Sequence, residues 1–140
     1  MREYNLFQIG DFISHAGLPL KWKIECDAIK PEEWDALARM IMDFEKRPFC
    51  DVEGIPRGGV PLANALKKYA TGDISDRLLV VDDVYTTGTS FKEYCEVKYG
   101  SGTLIYKWCI FARKTPTDGV NALFTMPEIN DYVDTSKRFI

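Results

Sequence analysis

Apolar positions along this chain recur with two different periods. From residue 31 they fall at Trp34, Leu37, Ala38, Ile41 and Phe44, the i, i+3, i+4 spacing of a helix that buries one face. Pro31, Glu32 and Glu33 suit its start, because proline fits the first turn and acids favour the positive end of the helix dipole. Pro48 ends it, and the acids Glu32, Glu33, Asp35 and Glu45 read as a solvated face. Leu62, Ala65, Leu66 and Tyr69 repeat the pattern over 60–70, and a third helix is expected over 90–100, stopped by Gly100. Elsewhere the pattern shortens. "RLLVVDD" (77–83) is a continuous apolar run, as in a parallel strand covered on both faces. "FCDVEGI" (49–55), "TLIYKWCIFA" (103–112) and "NALFTM" (121–126) are further strand candidates. Residues 1–30 read as short strands and turns, with Trp22, Ile24 and Cys26 on one side of an alternating "KWKIECDAI".

Strand, glycine loop and helix thus occur twice, and a further strand follows. This predicts an α/β fold, a mainly parallel sheet flanked by helices. At 140 residues the chain is expected to form one domain over 1–140, with an N-terminal segment (1–30) and a core (31–126). A net charge of -3 argues against a basic nucleic-acid-binding surface. No apolar run is long enough to span a membrane, and "MREYNLFQIGDF" lacks a signal-peptide core. Cys26, Cys50, Cys95 and Cys109 show no zinc or C-x-x-C spacing, so they read as reduced, mostly buried thiols of a cytoplasmic protein.

Both unusual loops lie at carboxyl ends of predicted strands, where parallel sheets bind ligands. One is "DDVYTTGTS" (82–90). Its Thr86, Thr87, Gly88, Thr89 and Ser90 offer hydroxyls, a close-approaching backbone and a helix N-terminus, which together suit a phosphate. Asp82 and Asp83 supply acceptors for a sugar diol or oxygen ligands for Mg²⁺; two aspartates capping a polar turn are the alternative. The other loop is "GIPRGG" (54–59), where Arg57, Gly58 and Gly59 can hold a second anion. A ligand with a sugar and two separate phosphate groups fits both loops.

"LLVVDDVYTTGTS" (78–90) resembles the signature of type I phosphoribosyltransferases, which bind 5-phosphoribosyl-1-pyrophosphate (PRPP). "VEGIPRGGVPLANAL" resembles that family's pyrophosphate loop and its following helix, and the likeness spans roughly 49–112. Tyr85 departs from it, since a small aliphatic residue is usual there. The resemblance implies that Asp82 and Asp83 meet the ribose hydroxyls, directly or by ordered water, and touch Mg²⁺ directly or through the ribose or water. It implies that 86–90 cradles the 5-phosphate, and that Arg57 with the Gly58 and Gly59 amides holds pyrophosphate. Near the start, "GDFISHAGLPLKWKIECDAI" is similar to the base-binding hood of orotate phosphoribosyltransferases, through Phe12, Gly17 and Trp22. Trp22 would stack on a base, although an aromatic on an alternating strand is also an ordinary core residue. "FARK" resembles a family position that puts Arg113 near the base. His15, the single histidine, is a base-site candidate or a surface turn residue.

The resemblance implies an Mg²⁺-dependent phosphoribosyl transfer to a nitrogenous base, small-molecule partners and a homodimer. One departure stands out. Relatives place a strand and a mobile lid before the PRPP signature; here only "ATGDISD" (70–76) remains. The alternative is therefore a non-catalytic PRPP or nucleotide sensor on the same fold. A phosphoacceptor receiver domain, which also uses an acidic pair at a strand end, would carry that pair near the start of the chain.

Overall fold

The computed structural model describes residues 6–13, 19–100 and 104–126. Two strands, β1 (Phe7–Ile13) and β2 (Pro19–Ile24), pair antiparallel as a hairpin, with a register shift between Ile9 and Phe12. The core follows as α1 (Pro31–Phe44), β3 (Phe49–Gly54), α2 (Val60–Leu66), β4 (Arg77–Tyr85), α3 (Thr89–Tyr99), β5 (Ile105–Ala112) and β6 (Val120–Thr125). Strands β3 to β6 form one sheet in chain order, and every neighbouring pair is parallel. The α/β class is as expected, with the hairpin in the place of the expected hood.

Helices α1 and α2 pack on one face of the sheet. Trp34, Ala38, Ile41, Leu62 and Leu66 meet Val52, Leu79, Val81, Trp108 and Ile110 there. Helix α3 covers the other face, with Phe91 and Cys95 against Val80 and Cys109. Strand β4, sandwiched between both layers, is fully buried from Leu79 to Val81, which accounts for its unbroken apolar run. Pro31 is the first residue of α1, as expected, and the Glu33 carboxylate in addition caps the Lys30 amide at 2.8 Å, satisfying one of the helix's free donors.

Two expectations fail at the end of α1. Phe44 is 69% exposed rather than inward, because the helix stops there and Glu45 turns the chain away. Glu45, read as a solvated acid, is only 3% exposed. Its carboxylate accepts the Arg47 amide and Nε at 2.9 Å each, Arg47 Nη2 at 2.7 Å and the Trp108 indole N–H at 2.9 Å. The Arg47 guanidinium also lies over the Tyr106 ring, 3.9 Å from its centre. A carboxylate with that many donors is satisfied without water. Elements also shift in length: β4 runs two residues past the acidic pair to Tyr85, and the helix after "PRGG" tightens to a 3-10 turn from Lys67.

Candidate active-site cleft

At the carboxyl ends of β3 and β4 lies a cleft of about 940 Å³. Its walls bring together Arg57 and Gly58 from the first loop, and Asp82, Asp83 and Thr86 to Ser90 from the second. Phe12 and Lys23 of the hairpin and Arg113, just after β5, also line it. Two loops separated by about 25 residues of chain thus face one space, as the strand-end positions require.

Glycine makes the first loop possible. A side chain on Gly54 would strike the Gly59 carbonyl, and one on Gly59 would lie 2.5 Å from the Val81 carbonyl. A side chain on Gly58 would run into the Asp83 carboxylate. The loop is thereby pressed onto β4, with Ile55 donating to Val81 O at 2.9 Å and Gly59 to Ile55 O at 2.8 Å. The Pro56–Arg57 peptide is cis. Gly59 itself lies behind the lining, as the N-cap of α2.

The second loop is a turn into α3. Gly88 has φ +88° and caps that helix, a conformation that glycine adopts without strain. Thr87 and Thr89 hydroxyls hydrogen-bond at 2.8 Å, and the Thr89 amide donates to Thr87 Oγ1 at 3.3 Å. Gly88, Thr89, Ser90 and Phe91 line the cleft, so the start of α3, where the helix dipole favours negative charge, borders it.

The acidic pair is held differently at its two positions. Asp82 is buried and Asp83 half-buried. Each binds its own chain: Asp82 Oδ1 accepts the Asp83 amide and Asp83 Oδ1 the Val84 amide, both at 2.8 Å. Burial, then the neighbouring Asp83 charge, pushes the Asp82 carboxyl up to about 9, so without a bound cation it keeps its proton at neutral pH. The buried Asp82 and the half-buried Asp83 both line the cleft, where a hydroxyl donor or a cation can meet them. Among the described residues no cluster of three or more His, Cys, Asp or Glu could hold a metal alone. The pair instead suits a cation that keeps water and substrate oxygens as ligands.

Of the base-side candidates, Arg113 is buried in the cleft wall. Trp22 lies on β2 opposite Ile9, and its side chain is outside what is described, as are His15 and Gly17 altogether. Lys23 on β2, and Glu25 and Cys26 just after it, line the cleft without having been expected there from the sequence. Lys23 sits over the Phe12 ring, 4.8 Å from its centre, and pairs with Glu25 at 3.2 Å. Cys26 is buried beside the acidic pair, and burial followed by the Asp83 charge keeps its thiol protonated. An alternation of Lys and Glu on a short strand carries no sequence signal of a site, and Cys26 lies past the strand's end, where alternation no longer says which way a side chain faces.

No family model matches the sequence, and no curated protein does. Solved structures do match by shape. UMP synthase from Leishmania donovani is similar at TM-score 0.69 and 17% identity, covering 88% of this chain and 34% of that one. Orotate phosphoribosyltransferase from Aeropyrum pernix is similar at 0.65 and 21%, covering 88% and 90%. That of Mycobacterium tuberculosis H37Rv, in complex with PRPP, is similar at 0.62 and 15%, covering 82% and 86%. The chain thus spans about a third of the UMP synthase and most of either single enzyme. Its architecture, a four-stranded parallel sheet between helices with an antiparallel hairpin before it, is the orotate phosphoribosyltransferase-like α/β fold.

Proposed function

We propose that this chain is a compact phosphoribosyltransferase, a single unit that binds PRPP in the cleft and transfers its phosphoribosyl group to a nitrogenous base. A base nitrogen attacks C1 of the ribose, the bond from C1 to the pyrophosphate oxygen breaks, and the base loses its N–H proton. Pyrophosphate leaves with the electron pair. The observation that carries this reading is the meeting of an acidic pair, a glycine-arginine loop and a Thr-rich helix start in one cleft.

Each group has a task. The α3 N-terminus with Thr86, Thr87, Gly88, Thr89 and Ser90 holds the 5-phosphate. Asp82 and Asp83 accept from the ribose hydroxyls. Arg57 and the Gly58 amide favour the negative charge that develops on the leaving pyrophosphate; the Gly59 amide, expected to join them, is already bonded to the Ile55 carbonyl. Mg²⁺ is the cofactor in this reading, held by Asp82, Asp83 and substrate oxygens, and it would offset the charge of the pyrophosphate. The base lies towards Arg113 and the hairpin, where the reading also places Trp22 and His15. An orotate-like pyrimidine is favoured by the hairpin's likeness to the hood. A cytoplasmic homodimer is the expected form. No helix among the described residues is long and apolar enough to cross a membrane.

The test is calorimetry with PRPP and Mg²⁺. The double variant Asp82→Asn with Asp83→Asn is expected to lose binding; unchanged affinity sinks the assignment. A second reading, a PRPP sensor without turnover, is favoured by the 70–76 segment. That segment is a hydrogen-bonded turn with no strand in it. Pyrophosphate release across a panel of purines, pyrimidines and other nitrogen acceptors separates the two. PRPP binding with no product from any acceptor selects the sensor.

A further inference from the structure

Tyr85, the last residue of β4, touches two loops at once. Its ring is 2% exposed and lies under the phosphate loop. A Cβ on Gly88 would be 2.7 Å from the Tyr85 hydroxyl and 3.0 Å from Cζ, so the ring is the floor on which the Gly88 turn rests. Phe91, one turn into α3, packs with its ring centre 6.4 Å from that of Tyr85. The same hydroxyl also reaches the 113–119 segment. It lies 3.2 Å from Thr117 Oγ1 and accepts the Thr117 amide at 3.3 Å. The Tyr85 carbonyl accepts the Arg113 amide at 2.9 Å. One residue therefore grips both ends of the segment that starts with Arg113.

Tyr85 is also a partition. On one side is the large cleft; on the other is a second cavity of about 260 Å³, between α3, Ile105, Lys107 and the Thr117–Asp118 turn. Tyr85, Gly88 and Phe91 line both. A small aliphatic side chain here would leave the Gly88 turn resting on empty space and the Thr117 amide without its acceptor.

We propose that Tyr85 is a positioning residue: its bonds to Thr117 and its ring under Gly88 lock the 86–90 loop in its anion-gripping shape and tie that loop to the segment carrying Arg113. The two ends of the cleft are then set by one side chain, and ordering one end orders the other. The consequence for ligand affinity rests on the PRPP reading; the coupling of the loops does not.

Two measurements test it. In amide hydrogen exchange of the ligand-free protein, Tyr85→Phe removes only the hydroxyl. It is expected to speed exchange in both 86–90 and 113–119, and Thr117→Val is expected to do so in the same two places. Unchanged protection in either loop overturns the latch. In calorimetry, Tyr85→Phe is expected to weaken binding of ribose 5-phosphate roughly three- to tenfold, the range one hydrogen bond's net contribution allows. The melting temperature should move little. Equal affinity with a lowered melting temperature means a purely structural residue and overturns the proposal. If the unaltered protein fails to bind ribose 5-phosphate, the PRPP reading falls and takes the phosphate role of Tyr85 with it, and the exchange experiment alone then decides whether the loops are coupled.

Discussion

Glu45 and Asp82 are both buried carboxyls, and their surroundings push their acidities in opposite directions. For Glu45, burial alone would raise the value, but the bonds from Arg47 and Trp108 outweigh it and hold it below 4.5. A carboxyl depressed on folding stabilises the fold above its unfolded value, and that contribution is lost as pH falls through the depressed one. Glu45→Gln is therefore expected to cost about 1–3 kcal/mol at neutral pH, with the deficit shrinking below pH 4.5. Asp82 is raised from 3.8 to about 9 by burial and by Asp83. Here the stability is greatest below 3.8 and is lost as pH rises towards 9. Asp82→Asn removes that penalty. In metal-free, ligand-free buffer it is expected to be more stable than the parent at neutral pH, by about 1 kcal/mol or more, with the gap widening up to pH 9. Denaturant titrations at a series of pH values read both slopes; parallel curves for parent and variant would contradict the assignment at either residue.

At the scale of elements, the two glycine neighbours in the first loop should behave differently. A methyl on Gly59 meets backbone, the Val81 carbonyl of β4 and the Ile55 amide just after β3, neither of which can move without shifting a strand. Gly59→Ala is expected to cost about 1–3 kcal/mol of stability. The nearest atoms to a methyl on Gly58 all belong to the Asp83 carboxylate, a side chain that can turn aside. Gly58→Ala is expected to keep the melting temperature and, on the proposed reading, to lose PRPP affinity, because Asp83 would be displaced from where it would meet the diol. Equal effects of both on stability would show that the loop does not rest on β4 in this way. These loops were legible from the sequence because their residues are rare in combination: Gly-Ile-Pro-Arg-Gly-Gly and Asp-Asp with Thr-Thr-Gly-Thr-Ser at strand ends. The strands were legible for the same reason of pattern, and only their ends moved by a residue or two. Glu45 was not legible. Its burial depends on Trp108, which lies 63 residues away, and helical periodicity carries no such information. Tyr85 was visible as a departure, but its role depends on Thr117 across a turn that no pattern predicts.

At the scale of the whole molecule, the position of one short connection governs what the cleft can do. Residues 70–76 join the end of α2 to the start of β4. They are pinned to the opening residues of β3, Thr71 to the Phe49 carbonyl at 2.9 Å and Gly72 to the Cys50 carbonyl at 3.0 Å. Thr71 and Asp76 close the turn with a 2.6 Å bond, and Asp73 caps the Ser75 amide at 2.9 Å. Because β3 and β4 are parallel, their opening residues lie at the end of the sheet opposite the cleft, and this connection cannot fold over a ligand there. A closing lid excludes water while a glycosyl bond is broken; without one from this connection, water competes with the base for C1 of the ribose. If the chain turns PRPP over, pyrophosphate release is therefore expected to exceed nucleotide formation measurably in the same reaction, and to continue slowly when no base is added. Parallel assays of the two products decide it. One nucleotide for each pyrophosphate would mean that another part of the protein, or a second subunit, seals the cleft during the reaction.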